Sequence, residues 1–294
     1  MADVPGFWYK GYFYPEEFSR EKLEAGVLET FPFKDGDVVI DGFMKTGTTW
    51  LKHVLLAMYD DWGLCTLRDE RDASCLEWPV IKPEVEGIRP EWRRVFREQL
   101  NTDSIPSPRL FRTHLPYEIF PQKALQDKKV KVIYISRNPK DTCVSYYHYV
   151  KDFASGSWHT TCEDTIHRFI KGTVTAGPFL NHVISWRKLG ENDNVFHIDY
   201  EEMKHDLAKV VEKLADFLCR PLTASRIRQV VEETSVESMR KAGRKVVESQ
   251  EVKNFIRRGG IGDWKNHFTV AQSEMFDREI SEKFKKNDIN FTYE

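Results

Sequence analysis

Two hydrophobic rhythms alternate along the chain. Val38–Asp41, Arg109–Arg112, Val130–Ser136 and Val195–Ile198 are short and apolar at nearly every position. Such runs predict strands covered on both faces. Between and after them, apolar residues recur every third or fourth position over Thr49–Tyr59, Lys140–Val150, Glu163–Lys171, Leu180–Lys188, Asp206–Leu218, Ala224–Glu232 and Ala271–Lys285, predicting helices with one buried stripe. Buried strands alternating with amphipathic helices predict an α/β fold: a central, mostly parallel sheet flanked by helices. No linker, repeat or low-complexity tract divides the chain, so residues 1–294 read as a single domain. The stretch from Asp61 to Pro108 breaks the rhythm. It is polar, carries Pro79, Pro83, Pro90, Pro106 and Pro108, and reads as a loop-rich cover, either over a substrate pocket or as a surface excursion.

The most informative boundary is where Val38-Val-Ile-Asp meets Gly42-Phe-Met-Lys-Thr-Gly-Thr-Thr-Trp50. A β-branched run stops at a turn holding Lys45, Thr46, Gly47, Thr48 and Thr49, and a periodic segment follows. This P-loop-like strand–loop–helix layout aims backbone N–H groups at an anion, with Gly47 permitting close approach and Lys45 adding charge. The spacing is not that of the Walker A motif, whose lysine follows the second glycine. A helix start rich in threonine would have the same composition.

A second strand, Val130–Ser136, runs into Arg137-Asn-Pro-Lys, where Asn138 suits an N-cap and Pro139 the first helical turn. Arg137 therefore falls at a strand's carboxyl end, where open α/β sheets bind ligands, and Ser145 lies two turns into the helix. A third basic cluster, Phe255-Ile256-Arg257-Arg258-Gly259, sets two guanidinium groups against a glycine run. Arginine forks suit doubly charged phosphates. Together the three clusters read as one divided nucleotide site.

From about Phe33 onward the chain resembles the cytosolic sulfotransferases, which use 3′-phosphoadenylyl sulfate (PAPS) as sulfonate donor and release PAP. Lys45-Thr-Gly-Thr-Thr-Trp50 is similar to the family's 5′-phosphosulfate loop. Arg112-Thr-His114-Leu-Pro116 is similar to its catalytic-histidine segment, and Arg137 through Ser145 to its 3′-phosphate motif. Arg257-Arg-Gly259 is similar to its C-terminal phosphate loop, and Lys265–Glu274 to its dimerisation signature. The resemblance implies that His114 is the general base, that Lys45 stabilises the leaving group, and that Ser145 with Arg137, Arg257 and Arg258 holds the 3′-phosphate. It sets Trp50, Tyr200 and Thr234 to Met239, including Ser235 and Val236, against the adenine, and Arg112 beside the sulfonate or acceptor. The implied reaction needs no metal. The implied acceptor is a phenol, alcohol or steroid hydroxyl, with amines as further acceptors, and the implied assembly is a homodimer through Lys265–Glu274.

Residue by residue, simpler readings stand beside these. Thr234-Ser-Val-Glu237 matches a capping box with Thr234 as N-cap. Trp50 reads equally as core, the aromatic stretch Phe7–Tyr14 as pocket lining or packing, and Ser145 as an ordinary helix serine. Phe153, Trp158 and Phe179 are further pocket candidates, while Cys143 and Cys219 read as small packed hydrophobes. Several positions depart from the family pattern. Met44 replaces a proline, Thr46 adds a methyl beside the anion, Arg112 stands for lysine, Val236 for an adenine-stacking aromatic, and Cys219 for glycine.

Composition narrows the choice of partners. With 44 basic and 46 acidic residues there is no overall pull toward nucleic acid or anionic membrane. No apolar run is long enough to span a bilayer, and none resembles a leader peptide. Five scattered cysteines without paired spacing read as a reduced, cytoplasmic protein without structural zinc. Two rival functions share the strand–loop–helix. One is a nucleotide or shikimate-type kinase, which predicts Mg²⁺ dependence and a Walker A lysine. The other is a catalytically silent nucleotide-binding protein of this fold.

Overall fold

The computed structural model describes residues 4–62, 75–82, 107–127, 130–153, 160–190, 192–235, 237–239 and 259–294. Its centre is a four-stranded, fully parallel sheet. Beside it sits an N-terminal antiparallel hairpin, β1 (Gly6–Tyr9) and β2 (Tyr12–Pro15). The sheet contains β3 (Val38–Asp41), β4 (Leu110–Thr113), β5 (Lys131–Ser136) and β6 (Val195–Asp199), in the order β4-β3-β5-β6. All four predicted strands are present, within one residue of their expected bounds.

Helices cover both faces. On one, α2 (Thr48–Met58), α8 (Leu207–Phe217) and α9 (Ala224–Glu233) pack Leu51, Leu55, Val211, Leu214 and Val230 onto Val38, Ile40, Ile133 and Ile135. On the other, Trp186 from α6 (Phe179–Arg187) and Leu125 from α3 (Gln122–Asp127) meet Val39, Phe111, Val132 and Tyr134. The central strands are apolar at most inner positions because both their faces are covered, and each such buried side chain contributes about 1.5–3 kcal/mol. A third cluster joins Phe43, Phe169 of α5 (Cys162–Lys171) and Phe179 to Phe276 and Phe284 near the C-terminus. The expected last helix is there, divided into α10 (Val270–Phe276), a π turn (Asp277–Ser281) and α11 (Glu282–Lys285).

Short elements without a periodic signal went unpredicted: the hairpin, α1 (Arg20–Glu24), α3 and α7 (Tyr200–His205). The hairpin turns at Lys10 and Gly11, both at positive φ. Tyr12, Phe13 and Tyr14 are buried, and Phe13 exchanges backbone hydrogen bonds with Ala176 and Gly177. The aromatic stretch thus packs, with Trp8 left half exposed. Two cysteine expectations divide: Cys143 is buried, whereas Cys219 is exposed at φ +56, a backbone region that favours glycine. Of the 61–108 stretch, Cys75 bridges to Arg112 and Ile81 to Phe18, so its described part is structured.

At the sheet's amino end, Arg109 and Asp37 form an ion pair with no solvent exposure. Arg109 also donates to the Pro32 carbonyl at 2.8 Å, and Asp37 accepts from Ser107 at 3.0 Å and the Lys34 N–H at 2.8 Å. This clamp takes Arg109 out of the strand that it was predicted to begin. Arg109→Leu leaves a buried, uncompensated carboxylate and is expected to cost about 3–5 kcal/mol in denaturant unfolding.

Candidate active site

The sheet's carboxyl rim carries the chemistry. Asp41 stands level with Thr113 on one side and Tyr134 on the other, and Ser136 with Asp199. The residues that follow each strand, Gly42, His114, Arg137 and Tyr200, therefore emerge along one edge.

After β3 the chain turns against β5: a Cβ on Gly42 would lie 2.4 Å from the Ile135 carbonyl. Phe43 plugs an aromatic cluster, 5.0 Å from Phe179 and 5.4 Å from His182 between ring centroids. The N–H and hydroxyl of Thr46 both donate to the Phe43 carbonyl, at 3.2 and 2.7 Å. Thr46 is buried, and these bonds shape the loop. They also stiffen the turn where proline is missing. Lys45 sits at φ +72, its ammonium 5.1 Å from the Tyr149 ring. Gly47 is the left-handed N-cap of α2 at φ +114, with Tyr200 2.7 Å from where a Cβ would sit. No side chain caps α2 and its first turn has no acid, so the opening at Thr48 and Thr49 presents backbone N–H groups and a positive helix end.

Arg137 is 9% exposed and stacks over Tyr200 at 4.4 Å. It begins the turn into α4 (Pro139–Phe153), which Asn138 caps by accepting the Asp141 N–H at 2.8 Å. Asp141 gathers a distant loop: it accepts the N–H groups of Gly262 at 2.8 Å and Trp264 at 2.9 Å. Arg137 in turn donates to the Gly260 carbonyl at 3.2 Å, and its Nε is buried without a hydrogen-bond partner. Gly259 is thereby brought beside Arg137. Phe255, Ile256, Arg257, Arg258 and Val236 lie outside the described residues, as do Trp158 and the side chain of Phe153. Ser145 is half-buried on α4.

Trp50 packs edge-on to Tyr200 at 5.4 Å and donates to the Thr234 carbonyl at 2.9 Å. Met239 joins the same cluster. Thr234 proves to be the C-cap of α9, its hydroxyl donating to Val230 at 2.7 Å. The N-cap is Ser235, whose Oγ accepts the Ser238 N–H at 3.1 Å. The capping signal was offset by one residue because Thr234 continues the preceding helix.

His114 directly follows β4. Its Nδ1 meets the Gly42 carbonyl at 2.6 Å. An acceptor there requires Nδ1 to carry the proton, so Nε2 is the basic nitrogen of the neutral ring. The His114 N–H donates to the Glu77 carboxylate, and its carbonyl accepts from His182 Nε2 at 3.1 Å. The Tyr134 hydroxyl lies 3.0 Å from His182 Nδ1. Arg112 is close enough to Tyr149 to oppose the rise of its phenol, which burial pushes up to about 12. Lys45 and Arg112 thus both lie near Tyr149.

Sequence reasoning missed Glu77, Gly42, Asp141, Tyr149 and His182. Asp41, also passed over, carries one usable signal: an acid that ends an apolar run.

The architecture is that of an α/β protein whose ligand rim lies where parallel strands end and helices begin. The sulfotransferase domain family matches residues 35–288. Human sulfotransferase 2A1 is 32% identical over 285 residues, covering 94% of each chain. The amine sulfotransferase of Oryctolagus cuniculus is 30% identical over 293 residues, covering 94% of this chain and 91% of the relative. A mouse sulfotransferase solved in complex with PAP superposes with a TM-score of 0.77 at 31% identity, covering 96% and 95% of the two chains. The chain belongs to the sulfotransferase family and is an enzyme of sulfonate transfer.

Burial pushes His182 down to about 4 from 6.5. Its unfolded form gains a proton that the folded form refuses, so the stability it supports is complete above about pH 6.5 and lost toward pH 4. Unfolding free energy is expected to fall across that window, and His182→Gln to flatten the fall.

Proposed function

We propose that the protein transfers a sulfonate from 3′-phosphoadenylyl sulfate to the hydroxyl of a small apolar acceptor, with His114 as general base. The observation that carries the reading is the His114–Gly42 hydrogen bond, which fixes the ring's tautomer and ties the base to the loop bearing Lys45. The mouse relative's complex with PAP supports the choice of donor.

The residues present suit such a donor. The uncapped start of α2 offers N–H groups to the 5′-phosphosulfate, with Lys45 at the oxygen that accumulates charge as the sulfonate leaves. Arg137, with a buried and unpartnered Nε, takes the 3′-phosphate together with Ser145 and Gly259, and Arg257 and Arg258 are assigned the same role by their motif. Trp50, Tyr200, Thr234, Ser235 and Met239 flank the adenine. The acceptor's body lies beside Tyr149 and Arg112, with its hydroxyl toward His114 Nε2. His114 takes that proton as the oxygen attacks sulfur, and the bridging oxygen departs with the 5′-phosphate. Charge neutralisation by lysine and arginine replaces a metal in this scheme.

Labelled donor offered without metal to a panel of phenols, steroids, alcohols and amines tests the reading. Transfer is expected, and His114→Ala should reduce it by roughly 10²–10⁴-fold. Binding of PAP without transfer to any acceptor would replace the reading by a donor-binding protein. Transfer unaffected by His114→Ala would remove the base.

We also propose a homodimer through Lys265–Glu274. Val270 supports it: an apolar side chain 76% exposed at the first turn of α10, just after the Thr269 cap. Val270→Glu should convert a dimer to a monomer in light scattering, and an unchanged dimer would exclude this surface.

A further inference from the structure

Two buried carboxyl groups lie behind His114, and the reaction above uses neither. Asp41 ends β3 with no solvent exposure, and neither of its oxygens has a hydrogen-bond partner. The next residue, Gly42, supplies the carbonyl that holds the His114 ring. Glu77, in the turn before the short 3₁₀ helix Trp78–Val80, is 5% exposed. One of its oxygens accepts the His114 N–H, and the other accepts from the Cys75 thiol at 3.1 Å. The ring is thus anchored beside one carboxyl and the backbone by the other.

Among the described residues, the groups facing Asp41 offer it no positive charge. Glu77 approaches from its turn, Tyr14 from β2 and Tyr134 from β5, all acids. The Tyr14 hydroxyl is itself buried without a hydrogen-bond partner. Two carboxyl groups that repel in a dry site do not both ionise at neutral pH. The environments decide which one does. Glu77 is solvated by the His114 N–H and the Cys75 thiol, with the Thr113 hydroxyl also favouring its charge. Asp41 has only the nearby Gly42 N–H, poorly aligned, against complete burial. Burial holds Asp41 well above the usual carboxylate range and raises Glu77 as well.

We infer that Asp41 and Glu77 share a single proton, held by Asp41, and that the one charge left on Glu77 positions His114 and strengthens it as a base. The inference rests on the reading of His114 as base. An imidazole that accepts a proton beside an ionised Glu77 gains a counter-charge, and a neutral Asp41 keeps the Gly42 turn from being pushed off the strand end. Asp41 and Glu77 are positioning residues, since neither reaches the reacting atoms.

Three measurements on the full chain test it. The isotope-labelled carboxyl resonance of Asp41, assigned by its loss in Asp41→Asn, should report the acid form at neutral pH. An ionised signal there would overturn the inference. Because the folded carboxyl is raised above its unfolded value, Asp41 destabilises the fold increasingly as pH climbs above the unfolded value. Asp41→Asn should therefore gain stability over the wild type, by a margin that grows from about pH 4 to about pH 8. A margin independent of pH contradicts the proposal. Glu77→Gln should lower kcat by up to about a hundredfold and move the acid limb of the kcat/KM profile to lower pH, while Asp41→Asn leaves that limb in place. An acid limb unmoved in Glu77→Gln argues for a purely structural glutamate and sinks the idea. If the wild type transfers no sulfonate, the base reading falls, while the resonance and the unfolding curves still decide where the proton resides.

Discussion

Everything at the site depends on four parallel strands paired in one register, β3 and β4 ending level and β5 and β6 running two residues further. Since β3 pairs in register with both β4 and β5, and β5 with β6, the first residue beyond each strand is delivered to the same rim. A slip of one residue in any ladder would send the whole strand's buried set to the opposite face. The two apolar clusters on either side thus hold the register that sets the base, the anion loop and Arg137 side by side. The Asp37–Arg109 pair locks the same ladders at their far end. It adds less to stability than it does to alignment, because burying two charges costs nearly what their attraction returns.

The rim is built largely from backbone. Gly42 holds the base through a carbonyl, Phe43 closes the loop through a carbonyl, and α2 offers its amides. Backbone groups placed by a packed sheet have little freedom to reorganise, which suits a reaction where positioning and charge stabilisation do most of the work. Side chains then act mainly as wedges: Phe43 in its aromatic pocket fixes the loop that Lys45 projects from, and Tyr200 against Gly47 fixes the start of α2.

Much of this was legible in the sequence because strands buried on both faces and stripes on long helices leave strong local patterns. The four strands, the long helices, the Gly47 turn and the Asn138 cap all follow from residue type and spacing. What escaped was non-local. Nothing around Asp141 foretells that its carboxylate will gather the amides of Gly262 and Trp264, and Glu77 lies in a stretch whose prolines advertise only a loop. The hairpin and α7 are too short for periodicity to register. Thr234 misled because a threonine that ends one helix sits beside a serine that starts the next. Asp41 offers a signal that went unread, since an acid closing an apolar strand needs a reason to be there.

The last residues are wired to the rim by a route that bypasses the sheet. The Tyr293 carbonyl accepts from the Trp264 indole at 3.2 Å, the Trp264 amide reaches Asp141 at 2.9 Å, and Asp141 lies 4.0 Å from the Arg137 guanidinium. Alongside it, Lys140 is buried between Ser273 and Asp277 with Trp264 over its ammonium at 4.2 Å. Tyr293 is thus linked to Arg137 through three contacts. For tethering or surface attachment, that end of the chain is joined to Arg137 through these contacts, while the hairpin reaches the rim through Tyr14, beside Asp41.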